Sequence, residues 1–329
     1  MAPTTTTTHP LLSPAELSYL HSSLSLHPPI RTDSRSPTQF RPLVAETDIL
    51  PSTNGSARIC FADGTEAIVG VKAEVEMEEV GGGEDMGGGD GEEGKRGEEG
   101  WVELTIEIPG CRDDDALPIF LAAMLSEALV AGGELVARLR INARFHWKLY
   151  IDLQLTPRPG RSSSSPPHLL PLPLLSLTTH LALLCTRLPA LTSEADEDPR
   201  FDDDWDASTP LYPRSSPPTC PGPPVTLLVI SVAANIIFDP TGSELAVADA
   251  VLAVSVGRTR AAAGDEGGAV RVLGVRTIDP PARLTAAGVP DAVDAATGGR
   301  GRRGWRARRG RRGCGGRRGG DEEGVVGGW

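Results

Sequence analysis

The sequence contains few side chains spaced for catalysis. Its six histidines stand outside any hydrolase signature, since neither GxSxG nor HExxH occurs. Two of them, His146 and His180, fall in segments predicted to be a strand and a helix, where we favour a structural histidine. No motif therefore indicates a nucleophile activated by a neighbouring histidine.

The five cysteines form no recognisable site either. They are odd in number and far apart, without a CxxC pair, which disfavours a cysteine-rich zinc site and a secreted disulfide scaffold. They are Cys60, Cys111, Cys185, Cys220 and Cys314. A metal site of scattered histidines and carboxylates stays open, although we expect neither a metal nor a cofactor.

Two clusters of charged residues deserve comparison with known chemistry. Asp202, Asp203, Asp204 and Asp206 could be read as a metal cluster, but they lack the DxDxDG-type spacing of a calcium loop. We interpret them as a solvated acidic loop. The segment 31–35 reads RTDSR, and its simplest interpretation is a salt-bridged turn.

The charge of the chain is strongly uneven. The 329 residues include 44 acidic and 32 basic ones, which gives a net charge of −12. Residues 76–99 hold ten acids, whereas 300–318 hold ten arginines and no acid. Both compositions are typical of solvated, self-repelling segments, and the acidic one would repel a phosphate ligand.

These biases predict one ordered domain over 11–297 with flexible insertions. The insertions are expected at about 77–100, 157–168 and 192–224, because those stretches are rich in Gly, Ser, Pro or acids. Residues 1–10 and 298–329 are predicted to be disordered. The most apolar stretch, 169–188, is interrupted by prolines and polar residues, so we expect a soluble intracellular protein without a membrane segment.

The ordered segments predict an α+β domain of mixed strands and helices. Strands are indicated at 58–61, 66–75, 102–108, 145–155, 225–232, 236–238, 250–256 and 270–276. Helices are indicated at 11–26, 116–130 and 172–188. The Asp63-Gly64 pair predicts a hairpin between the first two strands.

Taken in order, several segments resemble the RNase PH-like family, and within it the subunits of the RNA exosome. The resemblance covers about residues 11–281. The matching segments are 31–35 against the family's Arg-x-Asp-Gly-Arg, then 40–43, 54–58, 64–75, 110–117, the strand 147–155, and the late Asp239-Pro240-Thr241 turn with Glu244.

The resemblance implies an RNase PH-like fold and a place in a hexameric ring of such subunits, joined by cap subunits. RNA would pass through the shared channel, so the chain would support 3′–5′ RNA degradation and rRNA processing in the nucleus, nucleolus and cytoplasm. It also implies a channel-lining, RNA-binding role for Arg112; the alternative is an ion pair with the aspartates at 113–115. Arg31, Asp33 and Arg35 are expected to fasten the N-terminal arm to the body of the domain.

Active members of the family use phosphate to cleave RNA, with a Gly-Gly-Thr/Ser-Arg loop and paired carboxylates. In this chain, Pro157 and Pro159 interrupt the segment where the loop would lie, and Leu245 follows Glu244 where active members carry aspartate. Asp249 is the one carboxylate that could remain. We therefore expect no catalytic residues. The alternatives are an active phosphate-dependent 3′–5′ exoribonuclease and an α/β scaffold unrelated to RNA.

The Arg/Gly-rich tail has two interpretations. It is either an RNA-binding extension, in which arginines contact phosphates, or the product of a reading-frame error in GC-rich DNA.

Overall fold

Two large β-sheets with helices packed against both, and one small two-stranded sheet, form the described part of the chain. The structure is a computed structural model that describes residues 12–77, 100–112, 114–142, 144–156, 171–193, 197–213, 222–258 and 270–278. These ranges all belong to one unit, Met1–Val289. Within them, no helix is both long and apolar enough to cross a membrane.

The first half of the chain builds a five-stranded sheet. Helix α1 (Pro14–Leu24) comes first, followed by β1 (Leu43–Thr47), β2 (Gly55–Phe61), β3 (Glu66–Met77), β4 (Val102–Glu107), α2 (Ala116–Ala131), α3 (Glu134–Leu139) and β5 (Phe145–Thr156). The strand order is β1-β2-β3-β5-β4. Only β4 and β5 pair in parallel; the other neighbours in this sheet are antiparallel.

The second half adds a four-stranded antiparallel sheet. Its elements are α4 (Leu172–Cys185), β6 (Arg187–Leu188), a 3₁₀ turn (Trp205–Ala207), β7 (Thr209–Pro210), β8 (Val225–Val232), β9 (Asn235–Phe238), α5 (Gly242–Leu245), β10 (Ala250–Arg258) and β11 (Val270–Ile278). The order in the sheet is β11-β10-β8-β9, while β6 and β7 pair separately. The α+β class predicted from the sequence is confirmed.

Alternation and turn chemistry explain the central hairpin. Gly64 has φ of 82°, a conformation that a residue without Cβ adopts readily, and it lets β2 return as β3. Along β3, Ala67, Val69 and Val71 are fully buried and face the helices. The hairpin and its inward-facing row are thus as predicted.

Local sequence signals mark the starts and ends of the helices. Ser13 and Glu16 form a reciprocal capping box at α1, with Pro14 at the first helical position. Asp115 is the N-cap residue of α2, and Gly133, with φ of 65°, separates α2 from α3. The predicted helix 172–188 ends earlier than expected, at Cys185, because Thr186 is extended and Arg187 begins β6.

Two apolar clusters hold these layers together. The larger one lies between the five-stranded sheet and the helices α2 and α4, and includes Leu149, Ile151 and Leu183. The smaller one joins α1 to the second sheet through Leu20, Leu24 and Ile230. The burial of α1 on the second sheet brings the segment that follows it, which contains Arg31, beside β9.

Part of the segment 192–224, for which the sequence predicts a flexible insertion, packs against the domain. Leu211 and Tyr212 are only 4% and 2% exposed and belong to the larger cluster. Arg138 stacks over the Tyr212 ring and donates to the Leu211 carbonyl. The Pro- and Asp-rich composition concealed two apolar residues that anchor the segment. Residues 1–10, 78–99, 157–168 and 298–329 lie outside the described residues.

Candidate functional site

A buried arginine and a buried glutamate join the two ends of the domain. The Arg31 Nε donates to Glu244 Oε1 at 2.8 Å, and Nη2 donates to Oε2 at 2.9 Å. Both side chains are 0% exposed. Arg31 also donates to the carbonyl oxygens of Phe238 and Asp239. This two-pronged pair fixes the segment after α1 against α5 and the end of β9.

Asp239 lies at the centre of a second set of contacts. Its carboxylate accepts from Arg35 Nη1 at 2.7 Å and from Arg41 Nη2 at 2.8 Å. The backbone N–H of Arg41 adds a further bond at 2.9 Å. Asp33 and Asp63 complete the outer rim by pairing with Arg35 and Arg41. We define these residues with Arg31 and Glu244 as the arginine network.

The charged side chains of the arginine network shift one another's pKa values. Burial alone would raise the pKa of Asp239, but the hydrogen bonds and charge of Arg41, helped by Arg35, lower it below its usual value. The pKa of Arg41 is raised, because the bonds to Asp239 outweigh the opposing effect of burial. The carboxylate is thus held ionised inside the protein.

The carboxylates of Glu244 and Asp249, in and just after the late turn, make structural contacts. Glu244 is also the N3 residue of α5, where it accepts from the backbone N–H of Thr241 at 2.7 Å. Leu245 beside it is 6% exposed and packs in the smaller apolar cluster. Asp249 lies on the surface, and its Oδ2 accepts from the backbone N–H of Ala233 at 2.7 Å, which secures the β8–β9 turn.

Arg112 lies just before α2 and is 82% exposed. Its Nε is 3.1 Å from Asp114 Oδ1, and its backbone N–H donates to Asp115. The side chain therefore has the acidic neighbour that the sequence offered as the alternative to RNA. A contact with RNA at Arg112 stays a prediction.

The two singled-out histidines have structural surroundings. His146 is buried and stacks on Trp101, with ring centroids 4.2 Å apart. Nδ1 of His180 lies 2.8 Å from the carbonyl oxygen of Pro223, so it donates there. Burial lowers the pKa of His180, although the backbone contacts oppose that shift. In the described ranges, no group of three or more His, Cys, Asp or Glu residues is placed to hold a metal ion.

The acidic loop also has a local role. The carboxylates of Asp202 and Asp204 accept from backbone N–H groups two residues ahead, and Asp204 thereby caps the 3₁₀ turn. All four aspartates of the loop are exposed.

Arg41 is a member of the network that the sequence motifs do not indicate as a charged contact, because it stands outside the cluster 31–35, in the segment 40–43. The signal that could have found it is the excess of arginines over carboxylates in 31–41, which calls for acids elsewhere in the chain.

Comparison with known proteins agrees with this architecture. No protein-family model matches the chain. The exosome complex component RRP42 of Saccharomyces cerevisiae is 31% identical over 250 residues, which cover 74% of this chain and 81% of that protein. Exosome complex component rrp42 of Schizosaccharomyces pombe is 33% identical over 259 residues, covering 74% and 78%. A solved archaeal exosome core shares the fold, with a TM-score of 0.50 and 18% identity over 80% of this chain and 85% of that chain.

The fold is therefore shared with an exosome core protein, and the curated relatives support the RNase PH-like class that the resemblance implied. Within that class, the chain belongs to the RRP42 family of exosome complex components. The alternative of a scaffold with a chance resemblance is not favoured.

Proposed function

We propose that this chain is a non-catalytic subunit of an exosome ring. In that role it helps to shape an RNA channel and supports 3′–5′ RNA degradation and rRNA processing. Membership in the RRP42 family supports the assignment to an exosome. One observation supports the proposal that the subunit is non-catalytic: both carboxylate oxygens of Glu244 accept hydrogen bonds from Arg31 in the protein interior.

Phosphorolysis makes demands that these residues meet poorly. A phosphate ion must be held by several converging donors for in-line attack, and a carboxylate must be free to act on a proton or a cation. Glu244 has no free oxygen, and Leu245 offers no carboxylate. In the sequence, Pro157 and Pro159 lack the N–H groups that a phosphate loop uses.

The proposed partners are other RNase PH-like subunits in a hexameric ring, together with cap subunits and the RNA in the channel. We propose nucleus, nucleolus and cytoplasm as its locations. Arg112 is the candidate RNA contact, because its exposed ion pair with Asp114 is of the kind that contributes little and exchanges readily for a phosphate.

The test is phosphate-dependent degradation by the reconstituted complex. An Asp249→Asn subunit keeps an oxygen that can accept from Ala233 but loses the negative charge. We expect the rate of nucleoside diphosphate release to equal that of the wild-type complex. A large loss of phosphate-dependent release, in a complex that assembles normally, would favour the alternative of an active exoribonuclease.

A further inference from the structure

Helix α2 is apolar on both of its long faces. Of its sixteen residues, only Ser126 and Glu127 are polar. One face, which includes Leu121, Leu125 and Leu129, is buried against the first sheet and the neighbouring helix. A helix that is apolar all round is normally buried all round, so the opposite face calls for an explanation.

That opposite face is exposed in the described structure. Ala116, Ile119, Phe120 and Ala123 follow the i, i+3, i+4, i+7 spacing of a single helical stripe. Ile119 is 55% exposed and Phe120 is 38% exposed. We call these four residues the α2 stripe. Such a run of apolar side chains on a water-facing helix marks an interaction surface.

Charged residues border the α2 stripe at both ends. Asp114, 71% exposed, lies two residues before Ala116 and forms an ion pair with the exposed Arg112. At the other end, Glu127 forms an ion pair with Arg276 of β11, and both are more than half exposed. Each end of the α2 stripe therefore carries an exposed carboxylate, and the arginine paired with that carboxylate is also exposed.

We propose that the α2 stripe is a contact surface for another subunit of the complex, which presents an apolar segment flanked by basic side chains. The identity of the partner as an exosome subunit rests on the proposed function. RNA fits the α2 stripe itself less well, because its four apolar side chains offer no donor to a phosphate. A second copy fits less well, because it brings the same carboxylates and a net charge of −12.

The size of the surface suits the centre of an interface. From Ala116 to Glu127 the helix rises about 17 Å. A stable interface buries about 800 Å² on each partner, and its energy concentrates in a few central anchors. Ile119 and Phe120 supply those anchors, and the surrounding rim must come from adjacent elements.

The experiment compares the binding of single variants to the remaining exosome subunits. Ile119→Asp and Phe120→Asp should each weaken assembly at least about tenfold, since each puts a charge into a desolvated centre. Tyr19→Asp is the matched control, because Tyr19 is also an apolar-bodied helical residue and is 71% exposed. Thermal melts of the free Ile119→Asp and Tyr19→Asp chains should be nearly unchanged, because both side chains are more than half exposed; Phe120, at 38%, should lose some stability, so its assembly is compared at a temperature where the variant is folded.

A second arm tests the charge of the partner. Asp114→Lys should slow association at low salt, and the difference from the wild type should shrink as salt is raised. If Asp114→Lys instead associates faster than the wild type at low salt, the partner does not carry basic side chains at this end of the α2 stripe.

The outcomes separate this inference from the proposed function. If the wild-type chain fails to enter the complex, the proposed function fails. If the wild type enters and the Ile119 and Phe120 variants enter equally well, only the α2 assignment falls. An equal loss of assembly for Tyr19→Asp would also overturn the α2 assignment. If the Ile119 and Phe120 variants assemble normally but lose RNA crosslinking, the α2 stripe is an RNA contact and not a subunit contact.

Discussion

Replacing Arg31 by methionine should destabilise the domain far more than a surface substitution of the same kind. Methionine keeps much of the side-chain volume but removes the charge. The change leaves the Glu244 carboxylate in the interior without its cation, because both of its oxygens are bound by Arg31 and neither side chain is exposed. It also removes the donor to the carbonyl oxygen of Phe238.

Removing one partner of a buried ion pair typically costs about 3–5 kcal/mol, which is a large share of the stability of a typical domain. We therefore expect the free energy of unfolding of Arg31→Met to fall by that amount. Glu244→Met should also be destabilising, because it leaves the buried guanidinium with only the more distant carboxylate of Asp33, 3.7 Å from its Nε. The double variant should cost less than the sum, with a coupling energy of up to about 3 kcal/mol.

Urea unfolding followed by circular dichroism measures these differences. Arg58→Met is the matched control, because Arg58 pairs with Glu66 and Glu46 while remaining 39% exposed. Its effect should be much the smaller of the two. Equal midpoints for Arg31→Met and Arg58→Met, or strictly additive single changes at Arg31 and Glu244, would show that the buried pair does not stabilise the domain.

Two further predictions concern acid stability and close packing. Because the folded protein lowers the pKa of Asp239 from 3.8, the unfolded chain binds that proton more readily. The stability it contributes is present above about pH 4 and is lost as the pH falls through the folded pKa. Asp239→Asn should therefore flatten the acid limb of stability measured by urea titration; an unchanged slope would contradict this. In Gly55→Ala the new Cβ would lie 2.6 Å from the Thr186 Cα, a backbone clash that should lower the free energy of unfolding by about 1–3 kcal/mol. Gly274→Ala is the control, because its Cβ meets open space and the variant should be nearly neutral in thermal melts.

The local elements of the fold follow from sequence patterns with a clear physical cause. Asp63-Gly64 supplies the turn, and the alternation through Val69 and Val71 supplies the buried face of β3. Strand β1 carries no such signal: all five of its residues are exposed, and it exists because it pairs with β2. An edge strand of this kind is set by its neighbour and not by its own hydrophobic pattern.

The arginine network marks the limit of local reasoning. Both of its halves were visible as motifs, 31–35 near the start and the turn with Glu244 near the end. Their pairing spans 213 positions along the chain, and no periodicity connects them. Only the packing of α1 on the second sheet brings them together. Long-range ion pairs depend on the tertiary arrangement, so the sequence indicated most of these residues, Arg41 excepted, but not the contacts between the two halves.

The most direct test of membership in an exosome ring is affinity purification of the tagged chain at its native expression level, with identification and quantification of the co-purifying proteins. We expect recovery of the other RNase PH-like subunits and the cap subunits in equal molar amounts with this chain. Recovery of the chain alone, or with proteins that share no RNase PH-like fold, would contradict it.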